Sequence, residues 1–311
     1  MTTPRTGLGA RTAMATNSIA SSLRHEVESN AFQILAHPKF DAALYRFTTD
    51  IPAAFSGRLV ANRAIGETAR FAMVAMIVHL DHVGKLDSRG ATAARLIELL
   101  AMRRLASATR AKAMIAYMVA QGLLHALPVP GDARATRLVP TNMLLTQMRT
   151  WLAAHFGAAA TIHDFGVSPA VLAADPGMLT HYLVGNVEAY RSGFILSDGF
   201  VVVQTLMAHA AGYRLLMRLV RDARTEGDGI ITAAPPAEIA QRVGVTPAHV
   251  RKLFRLCADA GWLTPLGRGG KVRLSPGFHE EGRRWVATEI AWDIRLASTY
   301  RASCEAASAP D

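Results

Sequence analysis

Residues 235–276 read PPAEIAQRVGVTPAHVRKLFRLCADAGWLTPLGRGGKVRLSP, and this stretch decides the fold. Pro235-Pro236 opens a helix where a missing backbone donor costs nothing, because the first helical N–H groups have no intrahelical partner. Ala240 is small enough to let a second helix cross closely over Ala237–Arg242. Gly244 ends that helix, since glycine takes the left-handed cap without a Cβ penalty. Thr246-Pro247 restarts the chain as an N-cap with proline at the first helical position.

At about 100° per residue, the second helix sorts its side chains cleanly. Val250, Leu253, Phe254 and Cys257 form an apolar stripe, and Ala248, Arg251, Lys252 and Arg255 lie opposite. A cationic helix face alone is usually only solvated. Here it follows a glycine turn and a cap, and a hairpin comes after it. Trp262–Leu266 and Val272–Leu274 read as strands joined by Gly267–Gly270, with Arg268 at the tip and Lys271 and Arg273 on the return. A thin glycine-rich tip carrying an arginine reaches a minor groove or a phosphate without steric penalty. The expected unit is therefore a helix-turn-helix with a basic hairpin. Its candidate DNA contacts are Thr246, Ala248, Arg251, Lys252, Arg255, Arg268, Lys271 and Arg273.

The same layout recurs earlier in the chain. With Gly122 placed on Gly261, a shift of 139, Ser107 falls on Thr246, Lys112 on Arg251, Met114-Ile115 on Leu253-Phe254 and Leu123-Leu124 on Trp262-Leu263. Leu123–Leu127 and Arg137–Val139 read as the matching hairpin, with its turn at Pro128–Asp132. Both hairpins close on Arg-Leu-x-Pro (Arg137 to Pro140, Arg273 to Pro276), which makes the first three residues longer. Thr92–Leu100 and a second helix capped by Ser107 precede it. The exposed face of Ala108–Gln121 is expected to show Thr109, Lys112, Ala113, Ala116 and Ala120, flanked by Arg103, Arg104 and Arg110. The first unit's candidate contacts are Thr109, Arg110, Lys112, Arg134 and Arg137.

The run Ile239–Pro276 resembles the winged helix of bacterial transcription regulators. The first hairpin, GDARATRLVPT at residues 131–141, resembles the wing of the multiple-antibiotic-resistance (MarR) regulators, with an Asp-x-Arg tip followed by Arg-Leu and a Thr/Pro pair. The resemblance implies that Arg134 enters the minor groove and that Asp132 orients it. The chain departs from the family in two ways. The second hairpin lacks Asp-x-Arg, and members carry one winged helix per chain and dimerise. A monomeric pseudo-dimer, or a homodimer of such chains, is implied.

The composition agrees with this reading. The formal net charge is +10, and lysine occurs only at positions 39, 85, 112, 252 and 271, so the basic excess is arginine. A genome rich in G and C explains the choice of arginine over lysine but not the net charge. Arginine suits bidentate contact with phosphate and guanine, so the polyanionic partner expected is double-stranded DNA. Cys257 and Cys304 have neither disulfide-framework nor zinc-ligand spacing, and a buried inert thiol is expected at Cys257. Residues 1–17 lack a signal-peptide core, and Phe71–Val78 and Phe200–Met207 are too short to span a bilayer; a cytoplasmic location without membrane contact is expected.

The expected fold is mainly α: two winged helix-turn-helix modules with short β-hairpin wings, linked by long packing helices. Apolar spacing marks helices at Ile19–Leu35, Phe71–Leu80, Ala91–Leu100, Met143–Phe156, Met178–Tyr190, Phe200–Leu219 and Trp285–Leu296. The expected divisions are a flexible arm (1–17), a helical region (18–69), winged helix 1 (70–157), a helical linker (158–198), winged helix 2 (199–280) and a C-terminal helix and tail (281–311). No Walker, dinucleotide-binding or nucleophile-elbow motif occurs, so no enzyme is expected and no cofactor is implied. His79 and His82, with Asp81 between them, could share a helix face, and His163 adjoins Asp164, but no third ligand is evident to complete either site and no metal is expected. Tyr182, Tyr190 and Tyr213 either pack helices or line a small-molecule effector pocket. The leading function is a sequence-specific transcriptional regulator. A plasmid-type replication initiator and a winged-helix protein–protein scaffold are the alternatives.

Overall fold

The computed structural model describes residues 7–54, 68–87, 90–102, 106–129, 131–233, 235–267 and 270–308. These residues are mainly helical, with two small antiparallel sheets. In the first half, α1 (Gly7–Leu35), α2 (Phe40–Ala54) and α3 (Thr68–Asp87) precede α4 (Ala93–Met102), α5 (Ala108–Ala120), β1 (Leu124–Val129) and β2 (Asp132–Pro140). Then come α6 (Asn142–Ala159), α7 (Pro169–Ala174) and α8 (Pro176–Ser192). The second half holds α9 (Val201–Met207), α10 (Gly212–Asp222), β3 (Arg224–Glu226), β4 (Gly229–Ala233), α11 (Pro236–Val243), α12 (Pro247–Asp259), β5 (Leu263–Leu266), β6 (Lys271–Leu274) and α13 (Pro276–Ser308). One apolar core runs through both halves, from Val27 to Ala297, and α13 packs along α1, α6 and α8.

The two units share their helix caps and the bonds that lead into their hairpins. Ser107 accepts from the Arg110 N–H at the start of α5, and Thr246 accepts from the His249 N–H at the start of α12. Both helices end at a left-handed glycine, Gly122 (φ 68°) and Gly261 (φ 72°). Leu123 N–H then donates to Met118 O at 2.9 Å, and Trp262 N–H to Cys257 O at 2.8 Å. The register corrects one part of the repeat. Leu124 pairs with Pro140, and Leu263 with Leu274, so Pro140 matches Leu274 rather than Pro276. Thr141 and Ser275 are the true equivalents; each donates its N–H to the opposing strand, to Leu123 O and Trp262 O, and caps the next helix. The first hairpin is therefore five residues longer, Leu123 to Thr141 against Trp262 to Ser275. The shared Arg-Leu-x-Pro is a coincidence slipped by two residues. A two-residue slip keeps a side chain on its face, so Arg137 and Arg273 are both exposed all the same.

Three further expectations change. The apolar period through Phe200–Leu219 does not make one helix. The chain turns at residues 208–211, where Ala211 takes a φ of 61°. Gly212 is required after that turn, because a Cβ there would strike the carbonyl oxygen of Leu206. Both segments bury apolar residues, Val202, Val203 and Leu206 before the turn and Leu215, Leu216 and Leu219 after it, so the apolar pattern continues past the break. Second, β3 and β4 were not anticipated, and β4 joins the second hairpin to make a four-stranded sheet, β3-β4-β6-β5. Its equivalent in the first unit is a single bridge, Thr92 to Arg137, with Leu138 N–H donating to Ala91 O at 2.7 Å. Third, the helix expected at Trp285–Leu296 extends to Pro276–Ser308, and α1 begins at Gly7, inside the stretch read as an arm.

Candidate nucleic-acid interface

On α12 the burial follows the helical wheel. Val250, Leu253 and Cys257 are buried and Phe254 is half-buried, while Ala248, Arg251, Lys252 and Arg255 are exposed. None of these three cations meets a carboxylate among the described residues. Thr246 is committed to its cap. The helix start is also fixed from outside, since His249 Nε2 lies 2.8 Å from Ala210 O and donates to it. The face is thus cationic, unneutralised and held on a rigid element, which is what phosphate and base contact need.

The hairpin behind it is less free than its sequence suggests. Lys271 Nζ lies 3.4 Å from a Glu226 carboxylate oxygen, and Arg273 lies 3.7 Å from Asp228. Both acids sit on the unanticipated β3–β4 hairpin, so two of the expected contacts are partly neutralised by a neighbour in the same sheet. Glu226-Gly227-Asp228-Gly229, followed by Ile230-Ile231-Thr232, was the available signal: a glycine turn before a β-branched run. Arg268 lies outside the described residues.

In the first unit Thr109, Lys112, Ala113, Ala116 and Ala120 are all exposed on α5, as is Arg110. Arg103 and Arg104 lie outside the described residues. Arg137 is exposed, but its aliphatic stem lies against Gly90, where a Cβ would strike it. Arg134 belongs to β2 just after the turn at Gly131, and its side chain lies outside the described residues. The structure thus brings Arg251, Lys252 and Arg255 together on one face. It does not assemble an equivalent cluster on α5.

The other chemistry-bearing groups lie in the core. His79 is buried, whereas His82, one turn on, is exposed. Burial, aided by the Arg191 charge, lowers the His79 pKa to about 4. Cys257 is buried, and desolvation pushes its thiol up to about 11. Sequence reasoning missed a polar network in the helical core. His155 Nδ1 lies 3.0 Å from one Asp293 oxygen, and the Tyr182 hydroxyl donates to the other at 2.7 Å. Glu289 stands beside them, its pKa held well above the usual carboxylate range by burial and by Asp293. His155, Glu289 and Asp293 place ligand atoms within 4.8 Å of one another, but both Asp293 oxygens are already hydrogen-bonded. His155, Asp293 and Tyr182 thus form a hydrogen-bonded core network. Tyr182 is part of it. Tyr190 instead lines a cavity of about 140 Å³ with Phe71, Phe194 and Trp292.

No described helix is long and apolar enough to cross a membrane. Compared with protein-family models, with curated proteins and with solved structures, the chain gives no match in any of the three.

Proposed function

We propose that the chain is a sequence-specific, double-stranded DNA-binding transcriptional regulator built on tandem winged helices. The observation that carries this is the exposed triad Arg251, Lys252 and Arg255 on α12, without an acidic partner among the described residues. The element order supports it. With β3 as an added strand after α10, helix, strand, helix, helix and hairpin run through α10, β4, α11, α12 and β5–β6, and again through α3, the Ala91–Thr92 bridge, α4, α5 and β1–β2. That is the winged-helix order, with α12 and α5 in the recognition position. The likeness of the first hairpin to MarR-type wings adds Asp132 and Arg134 as a supported contact pair.

A second reading holds for the first unit alone. The exposed face of α5 is mostly alanine, which suits a protein partner better than a phosphate backbone. Reading would then fall to α12, with the first unit as scaffold. Gel shifts on genomic fragments at two salt concentrations test the main proposal: salt-sensitive retention of a subset of fragments is expected, and no retention at low salt would refute it. Bound sites upstream of genes indicate regulation. Bound sites confined to a replication origin indicate an initiator.

A further inference from the structure

Between α2, α10 and α11 lies an open pocket of about 240 Å³ whose charged lining residues are all arginine. Arg214, Arg218, Arg221 and Arg242 line it, together with Thr48 and Thr49. Among the described residues, two carboxylates serve three of these four guanidinium groups. Asp222 pairs with Arg218 and Arg221, and Glu238 takes Arg218 and Arg242, each at 3.0 Å. Arg214 is half-buried and has no acidic partner among the described residues. Burial lowers its pKa from the usual arginine value, a sign of charge held out of water without compensation. The Thr49 hydroxyl is buried and has no hydrogen-bond partner among the described residues. A buried donor left unpaired is costly, and unpaired buried groups in native structures call for an explanation such as a bound ion.

We infer that this pocket binds a compact oxyanion carrying two negative charges, with Arg214 and Thr49 as its primary contacts and Arg218 as a shared one. Four cations against two carboxylates leave an excess that such a dianion neutralises, and the planar fork of arginine matches phosphoryl and carboxylate oxygens alike. The volume admits a phosphoryl group or a small dicarboxylate. The site also sits where a ligand would be felt. Ile239 and Val243 of α11 form its apolar wall, and Arg218 bridges α10 to Glu238 at the start of α11. An anion that draws Arg218 away from Glu238 loosens the anchor of the helix that packs against α12. It also lowers the positive field on the α12 face. Occupancy therefore weakens DNA binding, a consequence that rests on the DNA-binding proposal, whereas occupancy itself does not.

The test is calorimetric titration of the full chain with inorganic phosphate, and separately with malonate, in a non-coordinating buffer at fixed ionic strength. Saturable binding of one ion per chain is expected for at least one probe. The tighter probe identifies the ligand as phosphoryl or dicarboxylate. Arg214→Gln is expected to weaken binding about tenfold or more, and Thr49→Val by a smaller factor, since bonds to charged groups are the strong ones. Thr49→Val also stands in should Arg214→Gln fail to fold. The triple variant Arg251→Gln, Lys252→Gln, Arg255→Gln is expected to bind the ion unchanged. No saturable binding of either probe overturns the inference, as does binding that survives Arg214→Gln but disappears in the triple variant, which would place the ion on α12. Pocket binding without any DNA binding would sink the regulator reading and leave the site standing. DNA binding whose response to the ion is the same in wild type and Arg214→Gln would sink the coupling.

Discussion

Lys271 of β6 and Glu226 of β3 face each other across the second sheet, 3.4 Å apart, and Arg273 repeats the relationship with Asp228. Exposed pairs of this kind contribute little to stability, so their main effect is on the charge the hairpin shows to a polyanion. Glu226→Gln with Asp228→Asn is therefore expected to tighten DNA binding and to steepen log affinity against log salt by up to about two units. Thermal stability should move little. An unchanged salt slope would mean that β6 does not touch DNA.

Helices α12 and α5 differ in charge, and the difference sets an expected order of mutational effects. Arg251 belongs to an exposed cationic triad, while Lys112 stands among alanines. Arg251→Ala is expected to cost more affinity for a bound site than Lys112→Ala, by about 1–3 kcal/mol if the arginine makes a bidentate base contact. Equal losses at fixed salt would point to two equivalent readers.

His79, on α3, gives a pH dependence with a defined sign. Its folded pKa of about 4 lies below the unfolded value of 6.5 because burial disfavours the imidazolium. The folded state binds the proton less well than the unfolded state, so stability is complete above pH 6.5 and falls as the pH drops toward 4. The full effect is on the order of 3 kcal/mol. Urea midpoints across this range should fall for the wild type and fall less for His79→Leu; parallel curves would remove His79 as the cause.

The thiols should separate cleanly. Cys304 is exposed, whereas Cys257 is buried with its thiol pushed up to about 11, so it stays protonated at ordinary pH. Reaction with iodoacetamide at pH 8, followed by peptide mass spectrometry, is expected to modify Cys304 and spare Cys257 until the chain is unfolded. Native modification of Cys257 would contradict its placement on the buried side of α12.

Much of the second unit was legible because its signals are local. Gly244, Thr246-Pro247 and Gly261 each enforce a backbone conformation, and the 3.6-residue period placed Val250, Leu253 and Cys257 inward. What escaped reading depends on tertiary context. The turn at Ala211 lies in an alanine-rich stretch whose periodicity survives the break. The β3–β4 hairpin is short, and β4 is completed only by pairing with β6. The register slip arose because Arg-Leu-x-Pro recurs by sequence while the ladder is set by Thr141 and Ser275. The His155–Asp293–Tyr182 network and the Arg214 pocket join residues more than a hundred or so positions apart in the chain, which no spacing rule connects.

The central claim is that the Arg251, Lys252 and Arg255 face of α12 meets DNA. The most direct test is fluorescence anisotropy of a labelled genomic fragment across a salt series, wild type against the triple glutamine variant, with folding checked by circular dichroism. A steep salt dependence is expected for the wild type. The folded variant should lose affinity and flatten the slope by up to about three units, one for each phosphate contact removed. A folded variant with unchanged affinity and unchanged slope would contradict the claim.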